Sequence, residues 1–331
     1  MQHSDRLSQG LLHAYVLDGQ GSAAVISFAE LTDLTLTEQE SLWLHWDRTH
    51  KHAVQWLRED SGLNEFACDL LLEESTRPRL LRLDNQELLL FLRAINLNPS
   101  AELEDMISLR IFANAQHVYS FRQRPIQFTD ELIKAFEKGH GPKNTAELLL
   151  FFAQSLTDRI EQRVSQLADS VDSEEEKTDN DERYTPEVLP LLQARRRAAN
   201  LRRFLASQRD VFERMALSQE TWFMPSNSLY WNELDNSLTL QLEELALTRE
   251  RIGLILESEQ RRRSERISHT MYLLTVITGF FLPLTFVTGL LGMNVGGIPG
   301  SLSSYGFFVA SIMLIMLAVV QWLVFRWLRW V

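Results

Sequence analysis

Residues 267–325 include no Asp, Glu, Lys or Arg. Nothing else in the chain restricts its fold as much. Two segments of this uncharged stretch are long enough to cross a bilayer, about 271–291 and about 307–325. At 1.5 Å per residue each covers about 30 Å, the thickness of the hydrocarbon core. A hairpin buried in a water-soluble core is the alternative, and two such runs in succession disfavour it. Between them sits GLLGMNVGGIPG (289–300), a glycine-rich turn with no charge.

Flanking charge sets the expected orientation. Arg261, Arg262, Arg263 and Arg266 precede the first apolar run, and Arg326 and Arg329 follow the second. The loop between has none. The excess of basic residues on the cytoplasmic side of membrane proteins then places both termini in the cytoplasm and the turn outside. Trp322, Trp327 and Trp330 stand where aromatic anchors belong at the inner interface. The start, MQHSDRLSQG, lacks the apolar core of a signal peptide, so the N-terminus is expected to stay inside.

Acidic residues outnumber basic ones, 44 to 33, which argues against nucleic acid as a partner. The balance suits a protein that handles cations as well as any acidic soluble surface. The single cysteine, Cys68, allows no internal disulfide and no cysteine-based zinc motif. His45, His50 and His52 form the tightest histidine group and read as ordinary surface or core histidines rather than metal ligands. With no P-loop, HExxH or GxSxG, the chain is not expected to be an enzyme, and it implies no resident cofactor.

Three regions follow from the patterning: 1–142, 143–266 and 267–331. In the first, strands are expected at 12–17, 42–46, 88–95, 107–112 and 117–121, with turns at Asp84-Asn85 and Asn114-Ala115. Amphipathic helices are expected at 50–59, 63–73 and 129–138, packing the sheet. The second region reads as helical. One helix covers 145–170, and the acidic tract 172–183 reads as a solvated turn that could also attract cations. A further helix covers about 186–217, its arginines 195–197, 202, 203 and 209 solvated or ion-paired. The segment MPSNSLYW breaks the pattern, with Ser226 or Asn227 as N-cap. From there one helix reaches Leu291, about 100 Å in all, and a helix so long needs neighbours, which points to an oligomer.

Positions 243, 250, 257, 264, 271, 278, 285 and 292 lie seven apart on that helix and read Glu, Glu, Glu, Ser, Met, Thr, Thr, Gly. Such spacing keeps side chains near one line, drifting about 20° per heptad. Within the membrane the stripe gathers Thr278 and Thr285, which either face protein or water, or bond back to their own helix. Below it, Glu243, Glu250 and Glu257 are either a solvated face or the lumen of a ring of helices.

FLPLTFVTGLLGMN (281–294) closely resembles the signature of the CorA-type divalent metal transporters, with its Gly-Met-Asn tripeptide at the outer end of the first of two C-terminal spans. ESTRPRLLRL (74–83) and GGIPG (296–300) resemble the zinc-transporting ZntB branch. The magnesium branch typically carries acidic residues just after the tripeptide, and 295–305 has none. The resemblance implies an α+β cytoplasmic domain (an αβα sandwich), long stalk helices and two transmembrane helices, assembled as a funnel-shaped homopentamer in a bacterial-type inner membrane. It implies a selectivity turn of Gly292, Met293 and Asn294, and a pore faced by Thr285, Leu282, Thr278, Leu274 and Met271. Five asparagine carbonyls can hydrogen-bond the water shell of a divalent cation without stripping it, and Met271 with Leu274 can gate by dewetting. The expected activity is transport of Zn²⁺, with proton coupling associated with the branch. A Mg²⁺ or Co²⁺ channel is the same-class alternative, and a membrane-anchored scaffold or sensor the alternative of another class. The pore stretch offers no His, Cys or carboxylate for bare Zn²⁺, so the cargo is expected to cross mostly hydrated.

Overall fold

The computed structural model describes residues 10–96, 98, 106–181, 183–293, 295, 298 and 304–328. The chain divides into two compact units, Met1–Ile255 and Leu256–Val331. In the first, seven strands form one sheet: β1 (Leu11–Leu17), β2 (Ala23–Val25), β3 (Ser41–Asp47), β4 (Arg79–Arg82), β5 (Leu88–Ile95), β6 (Met106–Ala113) and β7 (His117–Arg122). The helices are α1 (Lys51–Glu59), α2 (Glu65–Leu72), α3 (Phe128–Glu137), α4 (Thr145–Asn180), α5 (Val188–Ala216), α6 (Pro225–Leu291) and α7 (Gly306–Trp327).

The strand order is β2-β1-β3-β7-β6-β5-β4. β3 and β7 pair in parallel, and every other neighbouring pair is antiparallel. Strand β5 shows why both faces are covered. Leu88, Leu90, Leu92 and Ala94 enter one core with Phe128, Phe152, Phe212 and Trp231, from α3, α4, α5 and α6. Leu89 and Phe91 enter a second core with Trp56, Leu57, Cys68 and Leu71, from α1 and α2. The sheet is therefore layered by helices on both sides, the sandwich expected from the sequence. A one-residue slip of β5 would exchange the two leucine sets between cores, so both cores fix the register.

Local signals set several boundaries. Asn64 caps α2, its side chain accepting from the Ala67 N–H at 2.8 Å. Asn144 caps α4 by accepting from Glu147 N–H at 2.9 Å, and the Glu147 carboxylate accepts from Lys143 N–H at 2.9 Å. Asn114 closes the β6–β7 hairpin, its Oδ1 accepting from the N–H groups of Gln116 and His117.

Three expectations need correction. The acidic tract 172–183 is not a turn; α4 runs through it to Asn180. Arg251 of α6 pairs with Asp172 and stands 3.9 Å from Glu175. Val171 and Thr178 bury the inner side of the tract. Secondly, neither Ser226 nor Asn227 caps α6, which begins at Pro225 with Asn227 N–H donating to the Met224 carbonyl. Proline suits a first turn because its missing N–H would have had no partner there. Thirdly, β2 and β4 were not expected at all, and they form the two edges of the sheet.

Candidate functional site: the two apolar helices

In the second unit α6 continues to Leu291 and α7 returns, and no residue of either apolar stretch is buried in the protomer. On α6, Val276, Gly279, Phe280, Pro283, Leu284 and Val287 are half-buried, a face recurring every three to four residues. This face meets α7. A Cβ built on Gly279 would stand 3.1 Å from Cζ of Phe325, and the Phe280 and Phe325 ring centroids are 6.5 Å apart.

The expected pore residues lie elsewhere on the helix. Met271, Leu274, Thr278, Leu282 and Thr285 are all exposed. At about 100° per residue they occupy an arc of about 80°, centred about 180° from the face that meets α7. The helix thus has one face satisfied by its own chain and an opposite face that is not.

The exposed threonines of α6 differ among themselves. Thr270 and Thr275 donate to carbonyls four residues back, at 2.9 and 2.8 Å, and Thr288 donates to the Thr285 carbonyl at 3.0 Å. Among the described residues, the Thr278 and Thr285 hydroxyls make no such bond. The two threonines on the stripe are the ones free to bond outward. At the end of α6, Gly292 N–H donates to the Thr288 carbonyl at 2.9 Å, and Met293 is exposed. Asn294, the central residue of the expected selectivity turn, lies outside the described residues, as do Arg329 and Trp330. So does GGIPG, apart from Ile298. Trp322 and Trp327 are exposed, and the Arg326 guanidinium stands 5.5 Å over the Trp322 ring.

Glu243, Glu250 and Glu257 are exposed on the side of α6 away from its buried Leu238, Leu245 and Ile252. Glu243 lines a groove of about 460 Å³ with Glu161, Asp169, Asp172 and Glu244, and Glu257 stands 3.7 Å from Arg261. Among the described residues no group of three or more His, Cys, Asp or Glu is placed to hold a metal ion. His45 is a core residue. Its Nδ1 lies 2.8 Å from Ser120 Oγ, which also accepts from Trp43 Nε1 at 2.9 Å. Burial holds its pKa well below the ordinary histidine value, helped by nearby Arg122 and His13. One polar residue of the spans escaped the sequence reading. Gln321 is the only amide side chain in α7, and that isolation was the available signal.

A sheet layered by helices, one helix of 67 residues and a second apolar helix returning beside it define an α/β protein with two helices long and apolar enough to cross a membrane. The sequence profile of the family described as CorA-like Mg²⁺ transporter protein matches residues 38–329, and the chain belongs to that family. The resemblance read from FLPLTFVTGLLGMN is thereby borne out. The chain is 51% identical to "Divalent cation transporter CmaX" of Pseudomonas aeruginosa, over 97% of each chain. It is 31% identical to "Zinc transport protein ZntB" of Pectobacterium carotovorum, over 98% of this chain and 96% of the relative. The solved full-length CmaX structure superposes with a TM-score of 0.88, covering 97% of this chain and 98% of that one. The CorA magnesium transporter of Methanocaldococcus jannaschii, 16% identical, superposes with a TM-score of 0.78 over 95% and 97%, which shows a shared fold.

Proposed function

We propose that the chain is a divalent cation transporter of the inner membrane. Five copies surround a pore lined by the first span, with both termini cytoplasmic and Gly292, Met293 and Asn294 at the outer mouth. One observation carries the reading. The face of α6 opposite α7 is left uncovered, and its two threonine hydroxyls are not spent on their own backbone. Polar groups on a membrane helix face protein or water rather than lipid, because hydrocarbon offers them nothing. Further copies around an axis supply both.

Zn²⁺ is the proposed cargo, supported by the ZntB relatives and by the uncharged segment after the tripeptide. The cation crosses with most of its water shell, since Met271, Leu274, Thr278, Leu282 and Thr285 include none of the ligands that bind bare zinc. That same lack of ligands favours a second reading, Mg²⁺, which parts with its water reluctantly. Uptake into proteoliposomes decides between them. Zn²⁺ entry that exceeds Mg²⁺ entry and follows an imposed pH gradient supports the first reading. Equal or greater Mg²⁺ entry with no response to pH replaces it with the second. No flux of either ion removes both.

A further inference from the structure

The face of α7 that meets α6 is apolar except at Ser311 and Gln321. Ser311 satisfies itself by donating to the Phe307 carbonyl at 2.9 Å. Gln321 does not: its Oε1 is buried and has no hydrogen-bond partner among the described residues. An amide oxygen left unserved in hydrocarbon is costly, so the working protein has to answer it. The half-buried residues of α6 on this face (Val276, Gly279, Phe280, Pro283, Leu284, Val287) have no side-chain donor.

The first span carries a second acceptor without a donor. Pro283 lies inside α6. It has no N–H, so the Gly279 carbonyl four residues earlier loses its helical donor. The two gaps occur at one level. Phe325, one turn past Gln321 on the same face of α7, touches Gly279 and Phe280. The helices are joined at their far ends by residues 292–305 and run antiparallel, which sets Gln321 beside the turn 279–283.

We propose that Gln321 is a positioning residue for the first span. A half-turn of its amide puts Nε2 in the buried position that Oε1 occupies, and from there Nε2–H donates to the Gly279 carbonyl that Pro283 leaves open. This bond fixes the rotational setting of α6 about its own axis. Leu274, Thr278, Leu282 and Thr285 lie on the opposite face, so the setting decides whether they face their counterparts in other copies. The effect on transport rests on the pore reading above; the bond itself does not.

The full-length chain in lipid nanodiscs or liposomes tests both parts, with Cys68→Ser removing the one native thiol. Hydrogen exchange over residues 276–287 reads the bond. Gln321→Leu is expected to raise exchange about tenfold, and to raise it no further in a Pro283→Ala background, where the helical hydrogen bond is restored. Equal effects of Gln321→Leu in the two backgrounds, or none in either, overturn the proposal. Cross-linking of Thr285→Cys between copies reads the setting, and Gln321→Leu is expected to reduce its yield severalfold, with the pentamer's mass unchanged. Unchanged yield overturns the positioning role. If Thr285→Cys fails to cross-link in the otherwise unaltered chain while the exchange coupling is seen, the Gln321 bond stands and the pore reading falls.

Discussion

The sheet unit and the two apolar helices differ in how far their own chain covers their side chains. In the first unit the chain covers its core and answers part of its buried polar groups itself, although atoms such as His45 Nε2 and Arg110 Nε have no partner among the described residues. Arg110 is 1% exposed in β6, yet it donates to the Leu71 carbonyl at 2.6 Å and the Glu74 carbonyl at 3.3 Å. Burial, with Arg48 and Arg93 nearby, pushes its pKa down to about 9. His45, Trp43 and Ser120 share a buried network, in which His45 Nε2 is left without a partner among the described residues. In the second unit the chain leaves its side chains open. Phe286 and Phe307 are 68% and 87% exposed, and the Thr278 and Thr285 hydroxyls go unused by their own helix. The difference separates a region whose core is covered by its own chain from one that leaves large apolar side chains uncovered. It also says where substitutions act: stability changes belong to the first region, flux changes to the second.

The largest expected effect lies at Asn294. Asn294→Ala deletes an acceptor from every copy. Each hydrogen bond to a cation's water shell is worth about 1 kcal/mol net, so the joint loss lowers flux by orders of magnitude. The oligomer's mass should not change. Flux and mass measured on one preparation check this, and wild-type flux in an intact Asn294→Ala oligomer would remove the turn as the selectivity site.

Next in size is a pair of substitutions that divides the regions. Trp43→Ala empties a fully buried position and strips Ser120 of a donor, costing about 3–5 kcal/mol. Leu282→Ala, exposed on α6, should move the unfolding midpoint of the full chain little while changing flux. Denaturant unfolding followed by circular dichroism tests the pair. Equal destabilisation by both would break the contrast.

A pH effect should also belong to the first region alone. His45 and His117 are both held below the usual histidine value by burial, His45 well below it. Below about pH 6.5 the unfolded chain takes up more protons at these two sites than the native chain does. Stability is therefore fully present above that pH and falls as pH drops, by up to about 1.4 kcal/mol per pH unit for each histidine. Midpoints measured between pH 7.5 and 5 should show this slope, reduced in His45→Gln; an unchanged slope in that variant assigns the effect elsewhere. The smallest effect is electrostatic. Neutralising Glu243, Glu250 and Glu257 to glutamine should slow flux most at low salt, where charge acts over about 30 Å. Flux that is insensitive to the change at low salt returns the three to an ordinary solvated face.

Legibility followed the same divide. The long strands were readable because Leu88–Ile95 and its neighbours fill two cores, and the spans because charge is absent from 267–325. The tract 172–183 misled because its charges hide the helical face of Val171 and Thr178, and because Arg251, which pairs with it, is remote in sequence. β2 is too short to show an alternation, and β4 mixes two leucines with Arg79 and Arg82. On the first span, heptad spacing picked out the uncovered stripe. Gln321 stayed invisible because its meaning depends on Pro283, a residue of the other helix.

Those two short strands carry a consequence of their own. A sheet edge with free N–H and C=O groups invites a strand from another molecule, and the invitation grows with its length. Here the edges are three and four residues long, and β4 presents two arginines beside its free backbone. A partner strand could make few ladder bonds on either side and would meet charge on one. Edges of this kind keep one sheet from fusing with the sheet of another molecule.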